Sequence, residues 1–184
     1  MNICIRKNIF QQCIFEFLGT GLIMFFGVGC LAASKLTNIY FNRYEISLIW
    51  GCAVSLSIYL SISISGAHLN PAITILFWLF YKFNKNKVFP YIISQISGAF
   101  FFTMLIYYMY YNILISFENK YHIVRGTKES LQLASIFCVY PRKNYIVIHE
   151  FIINIIISII FVILLMRIND KKKIFLLNQN LIRV

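Results

Sequence analysis

The stretch Ser65-Gly66-Ala67-His68-Leu69-Asn70-Pro71-Ala72-Ile73-Thr74 places a helix start in the middle of otherwise apolar sequence. Asn70 is a preferred N-cap residue, and Pro71 suits the first helical position, where an N–H would have no intrahelical partner. The pattern predicts a short helix over 71–80 that begins abruptly. The apolar run before it, 46–64, is long enough to cross a bilayer, whereas a helix over 71–80 rises only about 15 Å, half of a hydrocarbon core of roughly 30 Å. The expectation is therefore a re-entrant half-helix. Non-helical backbone at membrane depth is tolerated only where protein buries it or water reaches it, so 65–69 should line a cavity and offer its carbonyls to whatever passes. The half-helix turns its positive dipole end and the Asn70 amide toward that cavity, which favours hydrogen-bonding solutes and disfavours cations. Such a stretch implies a pore for uncharged solutes.

Composition agrees with a membrane setting: of 184 residues, 60% are hydrophobic and 12% charged, with 18 Phe and 12 Tyr, outside the range of a soluble domain. The expected fold class is an all-α membrane protein with four transmembrane helices, over about 10–33, 46–64, 90–110 and 145–166, around the half-helix at 71–80. Arg6 and Lys7 precede the first span, but that run is too long for a signal peptide and no cleavage site follows, so it reads as a retained helix. The formal net charge of +11 would suggest nucleic acid in another setting. Here the basic residues flank apolar spans, so topology and anionic lipid account for them and no nucleic-acid partner is expected. Arg6, Lys7, Lys82, Lys85, Lys87, Arg167 and Lys171 to Lys173 fall on one side of a four-span chain, which puts both termini in the cytoplasm. Lys35, Arg43 and the basic residues of 112–144 lie opposite and weaken the bias.

The remaining polar residues divide into structural and functional candidates. Cys4, Cys13, Cys30, Cys52 and Cys138 have neither metal-ligand spacing nor a paired framework, and Cys13, Cys30 and Cys52 read as small hydrophobes in or beside the spans. The acidic residues form no paired or metal-binding spacing and the three histidines are dispersed, so no enzyme, cofactor or metal site is expected. Gln95 and Gly98, inside the third span, read as interhelical hydrogen bonding and close packing. Glu16 is sharper, since an ionisable residue inside a membrane helix usually faces protein or a water-filled cavity. The polar, mixed-charge segment 112–144 reads as an extramembrane loop, in which His122 and Arg125 are assigned no chemistry.

SGAHLNPAIT resembles the first Asn-Pro-Ala signature of the major intrinsic protein family, the aquaporins and glycerol facilitators. FEFLGTGLIMFFGVGC upstream and SQISGAF, YYN and HIVRG downstream stand in the family's order, and within the family the likeness is greatest to bacterial glycerol uptake facilitators. The resemblance implies an aquaporin-like helical bundle in the bacterial inner membrane, a homo-oligomer (a tetramer), and passive passage of glycerol or another small polyol. It also assigns residues. Gly66, Ala67, His68, Leu69 and Asn70 would line the solute pathway, His68 mainly through its carbonyl rather than as a metal ligand. Trp50, which otherwise reads as an interfacial anchor, would be the filter tryptophan of glycerol-selective members. Its indole gives the carbon side of a polyol an apolar surface, so glycerol is favoured over water. Glu16, Pro71 and Ala72 would brace the loop, and Glu150 matches a second bracing glutamate, with Asn154 where threonine is common.

Family members consist of two inverted repeats whose signatures meet at the midplane. The resemblance covers a partial domain, 1–170, with one repeat and one further span, and leaves 171–184 as an unmatched tail. A second Asn-Pro-Ala and the filter arginine after it are missing. The expectation is an incomplete bundle, the product of a truncated gene. Against the channel stands one alternative, a non-conducting membrane protein.

Overall fold

In a computed structural model of the chain, residues 8–138, 140 and 147–182 are described. Cys4, Arg6, Lys7 and residues 145–146 lie outside them. The regular secondary structure of the described residues is helical, with no strand among them. The chain divides into two compact units, Met1–Val139 and Tyr140–Val184.

The first unit opens with α1, Ile9–Leu36, started by Asn8, whose side chain accepts from the Phe10 N–H. A capping box starts α2, Arg43–Ser61: the Asn42 side chain accepts from Glu45 N, and the Glu45 carboxylate accepts from Asn42 N. These reciprocal bonds satisfy two donors that a helix N-terminus otherwise leaves open. They also begin the helix three residues before the apolar run. The half-helix is α3, Pro71–Phe80, with Asn70 as N-cap and Pro71 in the first turn. α4 spans Lys85–Met109 and starts earlier than Pro90, because Asn84 caps it by accepting from Asn86 N. Pro90 therefore lies inside the helix, near its start. The segment expected as loop folds into α5, Tyr111–Lys120, and the single turn α6, Leu131–Ala134.

α1 is the central helix of this unit, packed against both α4 and α2, while α3 packs on α4. Close approach of α1 and α4 depends on Gly98: a Cβ there would collide with the carbonyl oxygen of Phe17 and stand 3.0 Å from its Cα. At one end of the unit Val28, Ala32, Leu36, Ile106, Leu114, Leu133 and Ile136 form a buried apolar cluster. Lys35 fastens this end by donating to the Gln132 carbonyl at 3.0 Å and to the Ser135 hydroxyl. Arg125 pairs with Glu118 through two nitrogens at 2.8 and 3.1 Å and reaches the Tyr107 hydroxyl at 3.3 Å. The Glu118 hydrogen bonds, and then that of Tyr107, raise the guanidinium's pKa above its ordinary value.

The second unit contains α7, Val147–Ile182, a helix that continues through the segment expected as a tail. Together, α1, α2, α4 and the Ile148–Arg167 part of α7 give four helices long and apolar enough to cross a membrane. The chain is a multi-pass membrane protein.

Candidate functional site: the re-entrant loop

Between α2 and α3 the backbone leaves helical geometry in a defined way. Ser65 closes α2 with its N–H donating to the Ser61 carbonyl at 2.9 Å, and its hydroxyl accepts from Ala67 N at 3.1 Å. Gly66 then takes φ +91°, Ala67 +53° and Leu69 +52°. For Ala and Leu the left-handed region costs roughly 1–2 kcal/mol each, because Cβ crowds the following carbonyl. Something must hold them there.

Glu16 does so. It is fully buried and accepts from His68 N at 3.0 Å through Oε1 and from Leu69 N at 2.7 Å through Oε2. Two consecutive N–H groups converging on one anion form a backbone nest, and the carboxylate is the anion it fits. A third donor, Gln95 Nε2, reaches Oε2 at 2.7 Å. A buried carboxylate accepts only, so these bonds offset its removal from water.

The Gln95 amide has a second hydrogen, which it gives to Thr74 Oγ1 at 2.9 Å. Thr74 in turn donates its hydroxyl proton to the Asn70 carbonyl at 3.1 Å, and that carbonyl also accepts Thr74 N at 3.0 Å. With the threonine proton committed, His68 Nδ1, 3.2 Å from Thr74 Oγ1, acts as the donor. The His68 ring is buried and lies against Phe77, Phe83 and Tyr91, with centroids 4.7, 4.6 and 5.3 Å away. Its side chain therefore faces protein.

The outcome is a division of the loop's polar groups. The Ser65 carbonyl is occupied by the Tyr91 hydroxyl at 2.9 Å, and that of Asn70 by Thr74. Among the described residues no hydrogen bond reaches the four carbonyls between them, those of Gly66, Ala67, His68 and Leu69. Asn70 is exposed, and its Oδ1 accepts from Ala72 N at 2.8 Å. That bond turns the amide so that Nδ2, a donor, points away from the backbone. Pro71 is half-buried and Ala72 exposed, both in the first turn of α3. Here, then, are four consecutive acceptors and one donor at the start of a half-helix, suited to a neutral solute rich in hydroxyls.

Trp50 is placed elsewhere. It lies on α2, eleven residues before Ser61 or about 16 Å along the helix, and its indole fills the space a Cβ at Gly27 would take. The loop and Trp50 thus sit at different levels of the first unit. Glu150 lies on α7, in the second unit, where its carbonyl accepts from Asn154 Nδ2 at 2.8 Å.

Sequence reasoning read Gln95 as interhelical hydrogen bonding, and the structure joins it to Glu16 and Thr74. Thr74, Tyr91 and Gln12 were not singled out. Thr74 carried a signal: it is the polar residue in the otherwise apolar PAITILFWLF, one turn after the N-cap.

Residues 4–181 match the sequence profile of the major intrinsic protein family. The chain belongs to that family. Two relatives are glycerol uptake facilitator proteins. That of Buchnera aphidicola subsp. Schizaphis graminum (strain Sg) is 61% identical over 175 residues, 95% of this chain and 67% of the relative. That of Escherichia coli (strain K12) is 49% identical over 159 residues, 86% of this chain and 57% of the relative. Among solved structures of the family, the X-ray structure of the aquaglyceroporin from Plasmodium falciparum matches with a TM-score of 0.56 and 36% identity, covering 59% of this chain and 45% of that one. The chain thus spans about two thirds of the Buchnera relative and just over half of the Escherichia coli one. The all-helical, aquaporin-like bundle expected from the sequence is the fold found, incomplete against its solved relative.

Proposed function

We propose that the chain is a membrane channel of the glycerol-facilitator type, passing glycerol and other small neutral solutes down their gradients across the bacterial inner membrane. The observation that carries this reading is the loop's polarity. Four carbonyls that no hydrogen bond reaches among the described residues, at Gly66, Ala67, His68 and Leu69, precede the Asn70 amide. A polyol passing them exchanges its water hydrogen bonds for protein ones without a large desolvation cost. Cations meet instead the positive end of α3 and the Asn70 donor. Trp50 supplies the apolar side of the filter, while Glu16, with Pro71 and Ala72, braces the loop. Relatives named as glycerol uptake facilitators support the choice of solute.

In this reading the protein works as a homo-oligomer, a tetramer as in the family it resembles, with both termini in the cytoplasm. Lys82, Lys85 and Lys87, between α3 and the body of α4, set that orientation. Cys138, exposed at the end of the 112–138 segment, then faces outward. A membrane-impermeant maleimide should label a variant retaining Cys138 alone in intact cells; labelling only after lysis contradicts this orientation.

Conduction itself is tested by replacing the donor. Asn70→Leu removes the amide and the cap to Ala72 N, and glycerol flux in proteoliposomes should fall by roughly tenfold or more. Equal flux in the variant would remove the loop from the pathway.

A further inference from the structure

Channel function as proposed leaves unused the polar cluster that Tyr91, Gln12 and Lys87 form beside Ser65. Tyr91 is fully buried in α4, and its hydroxyl lies 2.8 Å from Gln12 Oε1 and 2.9 Å from the Ser65 carbonyl. Both neighbours are acceptors, whereas the hydroxyl has one proton. Lys87 weights the competition: its ammonium donates to the same Gln12 oxygen at 3.0 Å and fills one of that oxygen's two lone pairs, so the tyrosine proton is shared between Gln12 and Ser65 with the balance moved toward Ser65.

That bond matters because of where Ser65 stands. Its carbonyl is the last before the left-handed run that begins at Gly66, φ +91°. The peptide plane joining Ser65 to Gly66 sets the direction in which the following carbonyls leave the backbone. Glu16 holds the run from its far end, through the N–H groups of His68 and Leu69. Nothing in that contact fixes the near end.

We propose that Tyr91 is a positioning residue for conduction. Its hydroxyl turns the Ser65 carbonyl inward and so sets the phase of the four carbonyls that follow, with Gln12 and Lys87 directing its proton. The proposal rests on the channel reading for its effect on flux, and on geometry alone for the contact.

Tyr91→Phe tests it while keeping the ring that packs on His68 and Phe83, centroids 5.3 and 5.2 Å away. The full chain is reconstituted in bilayers with carbonyl-13C serine and 15N glycine. Serine precedes glycine at Ser65-Gly66 and Ser97-Gly98 alone in the sequence, so two cross-peaks result, the second an internal control assigned with Ser97→Ala. In Tyr91→Phe the Ser65 peak should move while the Ser97 peak stays, and glycerol flux should fall by roughly three- to tenfold. The glycerol-to-water permeability ratio should change as well, which a loss of folded protein would not produce. An unmoved Ser65 peak overturns the proposal, as does a moved peak with unchanged flux and ratio. Background flux from the unmodified chain overturns the channel reading instead, and the peak still decides whether the contact exists.

Discussion

Glu16 is the residue on which the loop depends. Its carboxylate accepts from the backbone amides of His68 and Leu69, which the turn of the loop would otherwise leave unpaired, and from Gln95. In Glu16→Gln one acceptor oxygen becomes a donor facing an N–H, so one of those bonds is lost and the others lose their charge. The expected destabilisation is about 3 kcal/mol, read as a lowered thermal midpoint in detergent with helical content kept at low temperature. An unchanged midpoint would mean the amides are satisfied in another way. At this scale the sequence was partly legible. A glutamate inside an apolar run announces a buried partner, and the family resemblance implies a brace of the 65–69 loop, but the two amides it takes, those of His68 and Leu69, emerge only in the tertiary structure. Tyr91 was silent, because an aromatic in a span reads as packing until tertiary structure brings its hydroxyl to Ser65.

Among the elements, the half-helix was the most legible. An Asn-Pro start in apolar sequence has few other readings, and α3 covers the expected 71–80. Boundaries elsewhere moved where capping overrode hydropathy: Asn42 with Glu45, and Asn84, begin α2 and α4 ahead of their apolar runs. The 112–144 segment hid α5, whose Leu114 and Phe117 join the apolar cluster at the end of α1. Polar and mixed in charge, it reads as loop until that cluster exists to receive it. Helix packing supplies the prediction at this scale. Gly98 meets backbone of α1 rather than a movable side chain, so Gly98→Ala must push α4 away from α1 and with it shift Gln95 from Glu16. A loss of roughly 2–3 kcal/mol is expected, measured by thermal unfolding, together with reduced glycerol flux. Wild-type stability would show that the two helices are less closely packed.

For the molecule as a whole, the fold assembles one complete loop and half-helix inside a multi-pass chain that spans about two thirds of one relative and just over half of another. α1 is the shared support. It packs on α2 and α4, and through Glu16 it holds the loop between α2 and α3. The site is thus built within the first unit, and its carbonyls and the Asn70 amide are set by contacts that this unit provides. The central claim is that these groups pass a neutral polyol. Osmotic shrink-and-swell light scattering on proteoliposomes holding this 184-residue chain, with glycerol and water gradients against empty vesicles, tests it most directly. The account predicts glycerol flux above the empty-vesicle background that is lost in Asn70→Leu; background flux from verified, inserted protein would contradict it.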